Sequence, residues 1–516
     1  VRKVLLASLT GIVAVLVLLG VAELLAAVIA PDASPFVAVG QLAIDLAPHW
    51  LKDLMIAVFG TGDKAALFVI LGIVVLVGAI LSGNLELRWP PSGAILLGLA
   101  SVIALVGVLT RPNGDVLLAP VPLVVGAIVG IVVLRIGARR LRAWIAPTES
   151  ALRRKPETVG TSRRRFLGFT ITAGALGLVA TVAGRAMAAA TTAVTAIRDA
   201  ITLPAPSVAE AAVPATASLD VAGISPLITP NPDFYRIDIA LQVPRIDPEA
   251  WTLRIHGMVD TEVTLSYQDI LDMPLLEHTT TIACVSNEVG GDLIGNATWL
   301  GVPIRDLLER AGVQAGADMI LSSGPDGFTA GSPVEFLTDP DREAMLAVGM
   351  NGEPLPIEHG FPARLIVPGL YGYVSATKWV QDLKATRFAD EEGYWTPRGW
   401  SALGPIKTQS RIDTPKPGQS LTAGTVPIAG VAWTPHTGIT AVSVRVDDGP
   451  WQDATLASAI STDTWVQWVL PWQASTGDHT ISVRATDASG YTQTDALAPP
   501  APDGATGWHT VVARVD

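Results

Sequence analysis

The chain has 516 residues, of which 49% are apolar by type and 16% charged, with a formal net charge of −12. That length exceeds one ordinary domain and so few charges exclude a wholly soluble protein, so a membrane portion joined to a globular one is expected. The acidic balance excludes nucleic acid as a partner. The single cysteine excludes internal disulfides, thiolate-held iron–sulfur clusters, a Cys-x-x-Cys-His haem site and multi-cysteine zinc sites.

The apolar excess sits in the first 190 residues. Five stretches reach the roughly 20 apolar residues that a bilayer crossing needs: about 4–30, 65–82, 92–110, 116–136 and 166–184. Pro90 and Pro91 precede the third, and Pro120 and Pro122 fall in the first turns of the fourth, where missing amide donors are tolerated. Residues 36–59 are amphipathic and read as a surface helix on the membrane face. Residues 1–136 thus hold four crossings and this segment.

The stretch 137–165 carries Arg139, Arg140, Arg142, Arg153, Arg154, Lys155, Arg163, Arg164 and Arg165 against only Glu149 and Glu157. A basic loop of this kind stays cytoplasmic, as does the N-terminal Arg2-Lys3. Five crossings in a cytoplasmic membrane then leave everything after residue 190 on the far side. The bland reading of the loop, a collar at the lipid surface, suits the same topology.

Ser162-Arg163-Arg164-Arg165-Phe166-Leu167-Gly168, followed by a weakly apolar helix to residue 190, resembles the twin-arginine export signal. Arginine pairs beside membrane helices are common, but Phe-Leu at this offset adds weight. Export of a folded domain is what a cofactor inserted in the cytoplasm requires. Ala186-Met187-Ala188 matches a signal-peptidase site, although alanine-rich sequence produces that pattern easily and retention of the anchor is favoured. Residues 191–222, rich in Ala and Pro, read as a linker.

The remainder divides near residue 410. Residues 223–410 alternate strand-like runs with Gly/Pro turns and a few helices, for example Ile304–Ala311, which predicts an α+β domain. Residues 411–516 alternate strands such as Ala441–Val446 and Thr480–Ala485 with Gly, Asp and Pro turns, the size and texture of an immunoglobulin-like β-sandwich without its cysteines. The expected fold is therefore multi-domain: an all-α bundle of five transmembrane helices, an α+β domain and a C-terminal sandwich.

A lone cysteine is usually a small buried hydrophobe. Cys284 differs in its surroundings: Thr281-Ile282-Ala283-Cys284-Val285-Ser286-Asn287-Glu288-Val289-Gly290-Gly291 ends a β-like run and enters a Gly-rich loop that lets backbone approach a bulky ligand. As thiolate it is a soft ligand for a redox metal. Ordered around it are Ile228-Thr229-Pro230-Asn231-Pro232-Asp233-Phe234-Tyr235-Arg236, Gly295-Asn296, Trp299, Met350-Asn351-Gly352, His359-Gly360, Arg364, Val367-Pro368-Gly369 and Lys378-Trp379. This series resembles the sulfite oxidase family of molybdopterin-dependent oxidoreductases. Gly430–Trp433, Val446–Gly449 and Arg484–Asp487 extend the likeness to that family's C-terminal dimerisation domain. The membrane part lies outside it.

The resemblance implies molybdopterin and molybdenum as cofactor, with Cys284 as metal ligand and no haem or iron–sulfur cluster. It implies that His359, Arg364 and Lys378 hold the pterin and its phosphate, to which a guanidinium fork and an ammonium are suited. Cofactor contacts from Asn231, Tyr235, Ser286, Asn287, Ser375 and Thr377 follow from the same matches. Taken alone, His359 before a glycine reads as structural and Arg364 as a surface charge. Arg236 matches an arginine near the substrate oxyanion.

Two departures stand out. Where sulfite oxidases carry two arginines after the asparagine, this chain has Glu288 and Val289, and Trp400 stands where the family has its active-site tyrosine, five residues past the tryptophan matched by Trp395. A pocket poorer in positive charge predicts oxygen-atom transfer, with Mo(VI)/Mo(IV) cycling, on a small uncharged substrate such as a sulfoxide or N-oxide. Sulfite dehydrogenation is the alternative; a metal-free membrane scaffold reusing the fold is the second. Arg236, Trp400 and Tyr371 or Tyr373 are expected to shape the cavity, the tyrosines otherwise serving as packing. No histidine falls in the five stretches, so a membrane haem is not expected and electrons pass to a separate partner, a cytochrome or quinone-linked protein. Glu23 is the one charge of note within a crossing, and the first four helices read as an anchor or partner dock, lacking the internal repeat of a transporter.

Overall fold

The computed structural model describes residues 2–29, 34–48, 63–110, 117–145, 157–189 and 192–516, with isolated positions between 51 and 59. The chain forms two units, Val1–Ala193 and Val194–Asp516.

In the first unit, five helices among the described residues are long and apolar enough to cross a membrane. They are α1 (Arg2–Ile29), α3 (Asp63–Arg88), α4 (Ser92–Leu109), α5 (Pro120–Ile145) and α6 (Glu157–Ala189), with the shorter α2 (Pro35–Leu46) between the first two. Helix α1 packs along α3, α5 and α6. It meets α3 through paired glycines: a Cβ on Gly11 would strike the carbonyl of Ala79, and one on Gly83 that of Ala7. Small residues let helix backbones approach where lipid offers no hydrophobic drive to associate.

The helices run further at their basic ends than the apolar stretches suggest. α3 continues to Arg88, α5 to Ile145, and α6 begins at Glu157, so much of the expected loop 137–165 is helix. Arg, Leu and Ala are strong helix formers, and leaving the hydrocarbon layer does not end a helix. Residues 146–156 of that loop lie outside the described residues, as does much of the amphipathic segment beyond α2. Phe166 of the arginine motif is fully buried against Trp144, while Arg163, Arg164 and Arg165 are exposed. Glu23 accepts a hydrogen bond from Ser34 at 2.8 Å. The extension of α3 adds a second acidic group, Glu86, fully buried, whose Oε2 accepts from the amide of Ala94 at 3.0 Å and whose Oε1 lies 3.8 Å from Arg135 Nε.

The second unit starts with a helix over Thr192–Ala200. The stretch after it, expected as part of a linker, is instead laid along the folded domain. Val208 bridges to Leu276, Ala217 is fully buried in the main core, and Leu219 N–H donates to Gln467. Most of its side chains stay exposed, with Ala217 as the buried anchor.

The α+β part contains β1 (Thr252–Gly257), β2 (Val263–Ser266), β3 (Leu276–Ala283), β4 (Ile294–Pro303), β5 (Met319–Ser323), β6 (Thr329–Pro333), β7 (Met345–Met350), β8 (Glu353–Pro354), β9 (Arg364–Ile366) and β10 (Asp382–Thr386). One sheet has the order β2-β1-β10-β5-β6 and the other β3-β4-β7-β8, with β9 also paired to β7. The helix Ile304–Ala311 forms as expected, burying Ile304, Leu307, Leu308 and Ala311 on one face and ending at Gly312 in a left-handed turn. The core between the sheets includes Trp251, Ile255, Val302, Leu346 and Leu383.

The C-terminal part contains β11 (Gln409–Thr414), β12 (Ser420–Leu421), β13 (Gly424–Trp433), β14 (Ile439–Val446), β15 (Gln452–Asp453), β16 (Thr455–Leu456), β17 (Val466–Ala474), β18 (Gly477–Asp487) and β19 (His509–Val515). They form two sheets, β11-β13-β17-β16 and β12-β19-β18-β14-β15. Alternation explains the sandwich: in β19, Val511, Ala513 and Val515 point into the core while the residues between them face out.

The two parts of this unit are joined by buried polar bonds as well as apolar contact. Asp463, in the loop before β17, accepts from His278 of β3 at 2.8 Å and lies 3.3 Å from His436, with Glu210 3.8 Å from the other side of His278. Burial alone would raise Asp463, but the two imidazoles outweigh it and hold the carboxyl at about 2. Burial alone would depress His278, but Asp463 outweighs it and raises the imidazole. The Asp463 contribution is present above its unfolded value of about 3.9 and lost as pH falls through about 2; that of His278 is complete below about 6.5 and lost as pH rises through its raised value. Thermal stability of the full chain is therefore expected to weaken below about pH 4 and again above about pH 6.5, and Asp463→Asn to flatten both limbs. An identical profile in the variant would remove this contact from the account.

Candidate active site

Strand β3 ends at Ala283, and Cys284 is held at the turn that follows by its amide, which donates to Leu293 O at 2.9 Å. The loop 284–293 is closed from within: Asn287 Oδ1 accepts from Leu293 N–H at 2.9 Å, and the Cys284 carbonyl accepts from Asn287 N–H at 3.0 Å. The thiol is 9% exposed, and the Ser286 amide donates to its sulfur at 3.4 Å. Burial pushes the thiol up, opposed by Ser286 and Lys378. It is therefore neutral until a cation takes the proton's place, as a metal does to a coordinating thiol.

Behind the thiol the structure gathers His359, Arg364, Lys378 and Tyr235. A 3-10 turn over Ile357–His359 ends at Gly360, whose φ of +115° admits no ordinary side chain and would bring one against Arg364 and Lys378. Arg364, the first residue of β9, is 3% exposed; its Nη1 donates to His359 O at 3.0 Å and its guanidinium lies 5.1 Å over the Trp299 ring. Burial lowers it to about 10, with no carboxylate in ion-pair range among the described residues. His359 is 3% exposed and meets the Phe234 ring edge-on at 5.6 Å. Burial first, then Lys378 and Arg364, lower its imidazole to about 3, so it is neutral. Burial above all raises Tyr235, which keeps its phenol proton.

The other expected site residues fall into two groups. Ser286 and Asn287 shape the cysteine loop itself. Asn231 ties the Phe234–Arg236 segment to the 351–353 turn, accepting from Asn351 at 2.8 Å and donating to Glu353. Ser375 donates to Leu370 O and Tyr371 O, and Thr377 is paired with Ser322 at 2.7 Å, so both hydroxyls build the turn that carries Lys378. Trp400 packs on Tyr373 at 5.9 Å and Trp395 at 6.3 Å, its ring contacts among the described residues. Tyr373 donates to Ser401 O at 2.7 Å. Tyr371 is 3% exposed and burial pushes it up to about 12, with Cys284 among the charges it senses.

Three features were not anticipated. Asp238, with its side chain 4% exposed, accepts from both Arg236 Nε at 2.9 Å and Lys378 Nζ at 3.0 Å. Asp326 senses Asp238 and Lys378, and burial pushes it up to about 6. The sandwich supplies the third: Arg411 donates to Gly291 O at 2.8 Å, and the His509 ring occupies the space a side chain on Gly290 would need, at a φ of +78°. Asp238 carries no signal beyond lying two residues after Arg236, and nothing local to the cysteine motif points to β11 or β19.

A molybdopterin can be tested against these residues. Arg364 Nε and His359 Nδ1 are buried with no hydrogen-bond partner, an arrangement costing several kcal/mol unless a ligand completes it. An anionic phosphate satisfies two cations and an imidazole, and a soft metal suits the thiol. The residues fit the group.

A buried thiol facing an anion cradle in an α+β domain defines a cofactor-dependent oxidoreductase site. The profile described as "Oxidoreductase molybdopterin binding domain" matches residues 240–395. Human mitochondrial sulfite oxidase is 30% identical over 322 residues, covering 53% of this chain and 58% of that protein. The "Uncharacterized oxidoreductase YuiH" of Bacillus subtilis (strain 168) is 35% identical over 159 residues, 31% of this chain and 76% of that protein. Among solved structures, the sulfane dehydrogenase SoxCD from Paracoccus pantotrophus aligns with a TM-score of 0.49 at 24% identity, covering 57% of this chain and 84% of that one. The chain belongs to the sulfite oxidase family of molybdopterin oxidoreductases, while spanning little more than half the length of the human relative.

Proposed function

We propose that the chain is a membrane-anchored oxidoreductase whose molybdenum cofactor works outside the cytoplasm, transferring an oxygen atom to or from a small uncharged substrate such as a sulfoxide or N-oxide. The observation that carries the reading is the set of buried, incompletely satisfied groups, Arg364 and His359, placed with Lys378 behind a lone thiol. The five apolar helices and the exposed arginine triplet before Phe166 support anchoring and export of the folded domain.

The cofactor, when bound, supplies the two-electron oxygen-transfer chemistry. Cys284 would ligate the metal. Arg364 and Lys378 would hold the phosphate, with neutral His359 offering Nδ1 as a hydrogen-bonding group. Tyr235, protonated at neutral pH, can donate a hydrogen bond toward the thiol side of the site. Electrons leave or enter through a separate protein, cytochrome or quinone-linked, and the sandwich is the surface for a homodimer, as the resemblance implies.

An uncharged substrate is supported by the engagement of Arg236 with Asp238 and by the exposed Glu288 in the cysteine loop. The competing reading, sulfite dehydrogenation, is favoured by the half-exposed position of Arg236 at the rim. Metal and pterin analysis of detergent-purified protein, followed by turnover of sulfoxides, N-oxides and sulfite, tests both. Near-stoichiometric molybdenum with turnover of a neutral oxide supports the proposal. Turnover of sulfite alone transfers it to the alternative. Protein made in a cofactor-producing host yet carrying neither molybdenum nor pterin overturns it.

A further inference from the structure

We infer that Asp238 is a positioning residue that ties the cofactor side of the site to the substrate side, fixing Lys378 and Arg236 on a single carboxylate oxygen. Oδ2 accepts from Lys378 Nζ at 3.0 Å and from Arg236 Nε at 2.9 Å. The carboxylate and the lysine side chain are 4% and 10% exposed, whereas Arg236 reaches the surface at 40%. Lys378 is further fixed by donating to Glu358 O at 3.0 Å. A buried ammonium without a close anion sheds its proton, so Asp238 decides whether Lys378 presents a charge to a phosphate.

The groups around Lys378 make that dependence sharp. Arg364 and Arg236 disfavour its charge and the neutral His359 does not help it, while Asp326 is a further neighbouring carboxyl that burial pushes up to about 6. Cys284 is neutral without a metal. Asp238 is thus the principal anion holding Lys378 protonated, and burial has already lowered the lysine to about 8. The same oxygen holds Arg236, so a change in the cofactor cradle is felt at the rim.

The inference rests on the cofactor reading for its purpose but not for its test. In the full chain, competitive labelling with acetic anhydride reports Lys378 reactivity with or without cofactor. Asp238→Asn is expected to raise it several-fold at neutral pH, with a ceiling of about tenfold because roughly a tenth of a lysine titrating at about 8 is already neutral at pH 7. Retained pterin, measured across about pH 6 to 9, is expected to stay level in the wild type until pH rises through about 8, and to fall from lower pH in Asp238→Asn. It should level again in Asp238→Asn/Lys378→Arg, because arginine keeps its proton. A purely structural aspartate would not be rescued in that way. If Asp238→Asn loses cooperative unfolding, the labelling midpoint of Lys378 is read in Asp238→Glu. Equal Lys378 reactivity in wild type and variant overturns the inference. Wild type without any pterin overturns the proposed function instead and leaves the labelling result to judge Asp238.

Discussion

Cys284→Ala, purified beside the wild type, is expected to lose bound molybdenum and at least about 100-fold in turnover, because even removing a group that only supports a metal ligand costs about 10–100-fold. Pterin should be retained in larger part than the metal, since the phosphate cradle of Arg364, Lys378 and His359 is untouched. Folding should hardly change: the side chain is small, its sulfur accepts a long bond from the Ser286 amide, and the loop is held through backbone and Asn287. Metal content, pterin content and thermal midpoint measured together separate these effects. Full turnover in the variant would end the assignment of the thiol as ligand.

Arg364→Met gives the second large effect, and its two parts run in opposite directions. The wild-type guanidinium is buried beside no carboxylate among the described residues, with Nε unpartnered. Replacing buried charge by an apolar side chain of similar volume is often neutral or stabilising by about 1–4 kcal/mol. The cofactor-free variant should therefore unfold at or above the wild-type temperature, while bound pterin falls by at least about tenfold, the loss of roughly one charge-assisted hydrogen bond. Stability kept at a site's expense is the signature of a residue retained for its ligand. A strongly destabilised cofactor-free variant would instead make Arg364 structural, and wild-type pterin content would remove it from the cradle.

The cradle is expected from the family likeness, whose ordered motifs carry His359, Arg364 and Lys378; taken alone, His359 reads as structural and Arg364 as a surface charge. His359 precedes a glycine that must take a positive φ, Arg364 opens a short apolar strand, and Cys284 ends one. The helix at Ile304–Ala311 and the alternating strands of the sandwich were legible for a local reason, periodicity. What escaped was set by distance along the chain. Asp238 meets Lys378 across 140 residues, which no local pattern encodes. Glu86 escaped because a hydropathy window ends where charge begins, whereas the helix does not. Ser375 and Thr377 were legible as residues near the site, but only packing shows that their hydroxyls are committed to Leu370, Tyr371 and Ser322. The strap at 201–222 looked like a spacer because its small side chains carry little apolar signal.

The grip of the sandwich on the cysteine loop bears on when the site comes into being. Gly291 is bound by Arg411, 120 residues later, and Gly290 is backed by His509 on β19. Arg411 is itself braced by Asp413 at 2.7 Å, and Ile412 N–H donates to His509 Nδ1 at 3.0 Å, so the two supports form one piece. During synthesis at about 5–20 residues per second, the α+β part emerges first with its loop unsupported. Only when β19 pairs with β18 does the loop acquire its final backing. The order of translation thus predicts that the thiol's surroundings are the last part of this unit to set, leaving the site open to the proposed cofactor until that moment.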